Sequence, residues 1–196
     1  SRGLGDVYKR QLMDGAMTLN WAMFNSEYVD QQVSTFVGLG FVVANAASSD
    51  IQGVEVDMQW QATDNLRLGA NVAMLDAKYG KFDSAGCTAA QDSALIALGT
   101  LTVNSPVTSA LGCQAQFNGA GNKAGQSQDL SGSSFGADYS GSLTADYTKP
   151  LANGMLMFAS ADYNFTDGFK MTGDHDPIDF QKAFGKVNLR AGLRSE

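Results

Sequence analysis

The sequence lacks any long uninterrupted run of apolar residues, and this absence excludes a protein that crosses a membrane with helices. A spanning helix needs roughly 18–20 consecutive apolar residues. Proline is also scarce, at 3 of 196 residues, whereas glycine is abundant, at 22. Membrane β-barrels are not excluded, because their strands alternate polar and apolar residues and give only a weak hydropathy signal per segment.

The sequence contains fewer positively than negatively charged residues. The chain has 13 lysine and arginine residues against 20 aspartate and glutamate residues, for a formal net charge of −7. Binding to nucleic acid needs a basic surface that displaces counterions. Chemically reactive groups are few as well, with one histidine and no nucleophile in a recognisable pattern with a base. We therefore expect no nucleic-acid partner, no enzyme activity and no cofactor.

The first eleven residues are expected to be foreign to the protein. Ser1–Gln11 ends in DVYKRQ, which looks like the translation of an adapter used to prepare sequencing libraries. The chain has no initiator methionine, and we expect it to be an internal fragment whose fold is carried by residues 12–196.

The clearest pattern present is strict alternation of polar and apolar residues. From Gly53 to Gln61 apolar side chains occupy the even positions, and after a polar turn at Thr63–Asn65 the stretch Leu66–Met74 alternates again. A period of two predicts strands with one polar and one apolar face, and the short turn predicts a β-hairpin. The same reasoning predicts strands at about 17–32, 42–61, 66–79, 137–149, 154–166 and 180–194.

Alternation alone does not separate a soluble β-sandwich from a lipid-embedded barrel. The connections favour the barrel, because two short turns contrast with a very long loop at 80–136 and a moderate one after Thr166. Trp60 and Tyr147 lie beside the short turns, where an interfacial aromatic girdle is expected. We predict an all-β fold, namely an antiparallel up-and-down transmembrane β-barrel segment. It has about six long strands of an incomplete barrel, periplasmic turns and one very long extracellular loop.

The order of the segments resembles the C-terminal β-barrel portion of TonB-dependent outer-membrane receptors. The matching stretches are LNWAMFNSEYVDQQV (Leu19–Val33), NAASSDIQGVEVDMQW (Asn45–Trp60), LRLGANVAMLDAKYGKF (Leu66–Phe82), DLSG (Asp129–Gly132), YSGSLTADYTKPL (Tyr139–Leu151) and FGKVNLRAGL (Phe184–Leu193). The resemblance implies a barrel in the bacterial outer membrane that imports a scarce siderophore, vitamin or carbohydrate. It also implies as partners membrane lipid, the small-molecule ligand, an N-terminal plug domain and the TonB complex; the plug and the TonB-contacting region are absent from this chain.

The candidate site residues are charged or polar groups on the face opposite the apolar one. These predicted lumen-facing residues are Glu55, Asp57, Arg67, Asn71, Lys186 and Arg190. Most of them are expected to form polar ladders or to contact the plug, because a barrel lumen is polar in any case. A minority are candidates for substrate contact.

An acidic loop holds the single histidine of the chain. His175 and Asp176 lie between Asp174 and Asp179, a composition that raises the possibility of a metal site. Short acidic loops are usually solvated turns, however, and Pro177 fixes the chain here. We predict no metal site and retain His175 and Asp176 as candidate ligand contacts in an outer loop.

The two cysteines, Cys87 and Cys113, both fall in the long loop. In the oxidising compartment that the resemblance implies, disulfides persist, so a disulfide within the loop is the leading hypothesis. Two unrelated thiols are the alternative, and zinc is disfavoured by the spacing.

Two other functions remain open at this stage. A passive porin-type barrel would share the strands but would need no plug and no TonB-derived energy. A secreted antiparallel β-domain with an adhesive role would bury its apolar faces and be soluble without detergent.

Overall fold

The structure is a computed structural model that describes residues 2–37, 40–97, 112–117 and 123–195. It is built mainly from β-strands, with one α-helix and two 3-10 helices in the described ranges. The strands are β1 (Arg2–Leu12), β2 (Met17–Val37), β3 (Gly40–Thr63), β4 (Leu66–Tyr79), β5 (Cys113–Phe117), β6 (Lys123–Gln128), β7 (Tyr139–Pro150), β8 (Met155–Thr166), β9 (Phe169–Lys170), β10 (Phe180–Gln181) and β11 (Phe184–Ser195). The helices are α1 (Ala89–Ala97) and 3-10 turns at Met13–Gly15 and Pro177–Asp179.

Seven strands form one large sheet in the order β1-β2-β3-β4-β7-β8-β11, and every neighbouring pair is antiparallel. β1 and β11 are the edges, so within the described residues the sheet is an open segment and does not close on itself. The predicted fold class, an all-β antiparallel sheet belonging to an incomplete barrel, is confirmed.

The sheet contains one strand more than the six predicted. The additional strand, β1, lies in the segment interpreted as adapter-derived, and it pairs along its whole length with β2. β1 departs from the alternation of the other strands, since it places Asp6 and Arg10 opposite Met23 and Leu19 of β2. The foreign origin of Ser1–Gln11 stays a prediction.

Short-range hydrogen bonds fix the two tight turns. Between β3 and β4 the Thr63 hydroxyl accepts hydrogen bonds from the backbone N–H groups of Asn65 and Leu66, at 3.3 and 3.1 Å. Between β7 and β8, Gly154 adopts a positive φ of 75°, which favours glycine. Such tight connections set the register of both hairpins.

The two longer connections lie at the opposite end of the sheet, and both contain ordered structure. The first loop (80–138), predicted as one very long loop over 80–136, carries α1 and the β5–β6 hairpin. Residues 98–111 and 118–122 of it lie outside the described residues. The second loop (167–183) carries β9, β10 and the 3-10 turn. Where the chain is described, no helix has both the length and the apolar character needed to cross a membrane.

Buried apolar side chains are concentrated where the first loop meets the sheet. Ala47, Phe82 and Ala85 form this small core, with Tyr79 and Leu130 packed against it. Away from the loops, large apolar side chains remain exposed, including Leu189 at 77% and Met74 at 61%. The strands therefore do not bury their apolar side chains in a dry core within this chain.

Candidate functional site

The strand register sorts the side chains of the large sheet onto two faces. One face carries a row with one polar residue from each of the seven strands, each paired directly with the next. The row is Lys9, Asn20, Asp57, Asn71, Ser142, Asn164 and Lys186. We call this side the polar face and the opposite side the apolar face.

All six predicted lumen residues lie on the polar face. Asp57, Asn71 and Lys186 belong to the row just described, while Arg67 and Arg190 share a second row that runs through Asp146 and Ser160. Glu55 pairs with Ala73, two residues further toward the loops. The sequence pattern thus placed these groups on one surface; their contact with a substrate stays a prediction.

The polar groups of this face form few direct contacts with one another. The Asn20 side-chain amide donates a hydrogen bond to an Asp57 carboxylate oxygen at 3.3 Å, and the Lys186 ammonium lies 5.6 Å from the centroid of the Phe184 ring. Within the described residues the ion pairs are Lys78–Asp76 and Lys81–Asp83, so none of the five charged lumen candidates is in an ion pair there. Their charges are available to other groups.

The apolar face forms a band of nearly constant width. On β4 it runs over nine residues, from Leu66 to Met74, and on β8 over eleven, from Met155 to Phe165. Toward the loops, a polar row of Asn25, Gln52 and Asp76 ends the band on β2, β3 and β4. A tilted strand needs about 9–11 residues to cross the hydrocarbon core of a bilayer.

The first loop covers the loop end of the polar face. Ser49 and Tyr79 are register partners at this end, and Ser49 is 1% exposed. The backbones of Ser48 and Lys81 are joined by a 2.9 Å hydrogen bond. The Tyr79 ring lies 4.8 Å from the Phe82 ring and 4.5 Å from the Phe135 ring, centroid to centroid. The loop is thereby held on the same face as the predicted lumen residues.

The second loop packs through His175 against Tyr79, at the loop end of the polar face. The His175 ring lies 5.8 Å from the Tyr79 ring, and its Nδ1 atom is 2.9 Å from the Lys170 ammonium. Burial, and then the positive charge of Lys170, hold the pKa of His175 below its ordinary value, while the Asp174 carboxylate acts in the opposite direction. The neighbouring Asp176 carboxylate accepts a hydrogen bond from Ile178 N–H and so caps the 3-10 turn.

Both second-loop residues predicted to contact ligand are therefore buried and have polar partners within the protein. His175 and Asp176 are each 9% exposed, and the polar partners just described belong to the second loop itself. A role in ligand contact stays a prediction for them, whereas the structure gives them a role in holding the loop.

Gln128 joins the two loops, and sequence reasoning missed it. Its side-chain amide donates to the Gly86 and Asp174 carbonyl oxygens at 2.7 and 2.6 Å, and its side-chain oxygen accepts from the Gln91 amide at 3.0 Å. Both N–H donors and one of the two acceptor positions of this buried amide are thereby used. The partners lie up to 46 residues away in sequence, so no local sequence pattern predicts this bridge.

A disulfide joins Cys87 to Cys113, the pair named from the sequence, with their Cα atoms 5.8 Å apart. It connects the segment before α1 to the start of β5. Asp92 is close to both sulfurs, but a disulfide sulfur carries no thiolate and is not a metal ligand of the usual kind. The arrangement is a covalent staple of the first loop.

Two solved receptors share the fold of this chain. The ferric yersiniabactin uptake receptor FyuA from Yersinia pestis superposes with a TM-score of 0.59 over 99% of this chain, at 13% identity. The siderophore receptor PiuA from Acinetobacter baumannii superposes with a TM-score of 0.56 over 96% of it, at 16% identity. The chain spans 22% and 21% of their lengths, about a fifth.

These likenesses establish the fold, which is that of a segment of a receptor β-barrel. This confirms the fold that the resemblance to TonB-dependent outer-membrane receptors implies. One of the two is named as a ferric yersiniabactin uptake receptor and the other as a siderophore receptor. No protein-family model and no curated protein sequence matches the chain.

Proposed function

We propose that this chain is a wall segment of an outer-membrane receptor that imports a scarce ligand with energy delivered through TonB. The observation that carries the proposal is the division of one sheet into an apolar band nine to eleven residues wide and an opposite face crossed by a continuous polar row. Lipid is the partner of the apolar face, and the polar face lines the path of the ligand.

The cost of the opposite orientation supports this assignment. Turning the sheet over would place Asp57, Arg67, Lys186 and Arg190 in lipid, at about 2–4 kcal/mol for each Arg or Lys near the bilayer midplane. Leu189 and Met74 would face water instead. The observed alternation avoids both penalties only when hydrocarbon lies on one side and water on the other.

The neighbours and the polar face support one class of ligand. FyuA and PiuA are named for siderophore uptake, and we infer a siderophore-type ligand as the first candidate for this chain. Arg67 and Arg190, which have no ion-pair partner within the described residues, offer positive charge to an anionic chelate.

Uptake by cells that express the receptor containing this chain tests the proposal. Radiolabelled ferric siderophores serve as the probes, with vitamin B12 and a maltooligosaccharide in parallel. We expect uptake of one probe that stops when a protonophore collapses the inner-membrane gradient. Uptake that continues under the protonophore would indicate a passive porin, and uptake of none would reject import of these ligand classes.

Paired variants connect the result to the polar face. Arg67→Gln and Arg190→Gln each remove a positive charge from this face, and we expect them to lower uptake at equal receptor abundance. Lys149→Gln is the matched control, because Lys149 pairs with Met157 on the apolar side. Equal uptake by all three variants would contradict a role of the polar face in the ligand path.

A further inference from the structure

Midway along the second loop, two neighbouring residues are fastened to the rest of the protein. Gln128 holds the backbone oxygen of Asp174, and the His175 ring rests against Tyr79 on the sheet. His175 adopts a positive φ of 58°, a left-handed conformation that is unfavourable for histidine unless its surroundings hold it. The loop therefore lies over the polar face in a conformation that depends on the fit of one ring.

The contact with Lys170 defines the protonation state of that ring. A lysine ammonium only donates hydrogen bonds, so the Nδ1 atom 2.9 Å away must accept one. In this arrangement His175 is neutral and carries its proton on Nε2. A second proton would occupy Nδ1, abolish the acceptor and place two positive charges in contact.

We propose that His175, held between Lys170 and Tyr79, is a proton-operated latch that keeps the second loop over the polar face when neutral and releases it in acid. Opening needs no change elsewhere in the sheet, because the loop continues directly from β8 and into β11 and its backbone bond to β7, from Asp167 N–H to the Tyr139 carbonyl, lies at its first residue. Lys170 is exposed, so water takes up its ammonium once the contact breaks.

The groups around the His175 ring determine whether acid stabilises or destabilises the closed loop. Lys170 and Asp174 act from the loop itself, Tyr79 packs against the ring from β4, and Gln128 reaches the adjacent backbone from β6 without a charge. Burial and Lys170 outweigh Asp174, so the pKa of the latched histidine lies below its ordinary 6.5. The open loop then binds the proton more readily. Latch stability is complete above about pH 6.5 and declines as the pH falls from there toward the lowered pKa.

Hydrogen exchange of the full chain in detergent micelles, measured at pH 7.5 and pH 5.5, tests the latch directly. Protection factors corrected for intrinsic exchange are compared for the amides of residues 172–180. We expect these factors to fall by up to about tenfold at pH 5.5, one unit below the ordinary histidine pKa, with those of β7 and β8 unchanged. His175 is the single histidine, so it is the side chain whose ordinary pKa lies between these two values.

Variants separate the latch from general acid sensitivity. In His175→Asn the residue stays neutral and suits the left-handed conformation, so the pH dependence should vanish. Lys170→Met should reduce it, and Lys182→Gln, which removes a charge from the same loop at an exposed position, should leave it intact. Unchanged protection between the two pH values in the wild type, or equal pH dependence in His175→Asn, would overturn the proposal.

The importance of the latch for ligand entry rests on the proposed import function, but loop opening does not. If uptake fails while the exchange result holds, the import proposal is wrong and the latch stands. If uptake proceeds while exchange is insensitive to pH, the latch is wrong and import stands.

Discussion

Gly141 lies directly beneath the ring of Phe165, its register partner on β8. A Cβ atom at residue 141 would lie 2.7 Å from Cζ of Phe165 and 2.5 Å from the backbone oxygen of Asn71. Gly53 and Phe24 repeat the arrangement between β3 and β2, where the same atom would lie 2.9 Å from Cζ of Phe24. In both pairs an aromatic ring covers the gap that the missing side chain leaves.

Replacing Gly141 with alanine should therefore destabilise the sheet. The methyl group displaces the Phe165 ring and presses on the backbone of β4, and overpacking of this kind costs about 1–3 kcal/mol. The urea midpoint of unfolding in detergent micelles should fall accordingly. Gly173→Ala is the control, because nothing lies within 4 Å of a Cβ atom there. Equal midpoints for the two variants would show that the ring moves aside without cost.

Much of the sheet could be predicted because the side-chain period of a strand is two. A slip of one residue would turn every apolar side chain to the other face, so the alternation of Gly53–Gln61 and Leu66–Met74 specifies both the faces and the pairing. The short turn at Thr63–Leu66 then fixes the register. These two local signals placed Glu55, Asp57, Arg67 and Asn71 on one face, and the alternation over residues 186–194 did the same for Lys186 and Arg190.

β1 could not be predicted in this way. An edge strand offers unpaired backbone N–H and C=O groups that pair with any extended segment, whatever its side chains. Arg2–Leu12 pairs with β2 through such groups while placing Arg10 on the apolar face. Backbone pairing is therefore not evidence that the segment's sequence suits a barrel.

The packing of the two loops over the polar face could not be predicted, for a different reason. Gln128, Tyr79 and His175 meet from three elements that are separated by dozens of residues. Neither period nor composition marks a polar side chain that bridges two loops. Composition did indicate the Cys87–Cys113 pair, because two cysteines leave no choice of connectivity.

An arginine introduced on one face or the other of the sheet distinguishes lipid from protein surroundings. Leu189→Arg places a cation in the middle of the apolar band on β11 and should lower the unfolding free energy in lipid vesicles by about 2–4 kcal/mol. Asn188→Arg adds the same group one residue earlier, on the polar face, and should have little effect. A soluble β-domain, which would bury Leu189 in its own core, would show the same asymmetry in plain buffer without vesicles.

The disulfide should govern the order of the first loop. Closing a segment with a sequence separation of 26 residues restricts its open state by about 3–4 kcal/mol in the chain-entropy account. Without reductant, neither Cys87 nor Cys113 should react with iodoacetamide in denaturant, and the mass of the chain should not change. Modification of both thiols in unreduced protein would contradict the pairing. A Cys87→Ser, Cys113→Ser variant should be cut faster by trypsin at Lys81 while cleavage at Lys149 stays the same.

Loss of the Gln128 bridge should free the second loop at neutral pH. Gln128→Ala leaves the Gly86 and Asp174 carbonyl groups and the Gln91 amide without this partner, and each such group costs about 1–3 kcal/mol when it stays buried. The loop avoids that cost by opening to water, so amides of residues 172–180 should exchange faster at pH 7.5. Gln114→Ala, at an exposed position on the neighbouring strand β5, is the matched control and should leave exchange unchanged. Because this bridge carries no titratable group, Gln128→Ala should raise exchange at both pH values and keep the residual pH dependence that His175 confers. Exchange equal to wild type would show that His175 and Tyr79 hold the loop without Gln128.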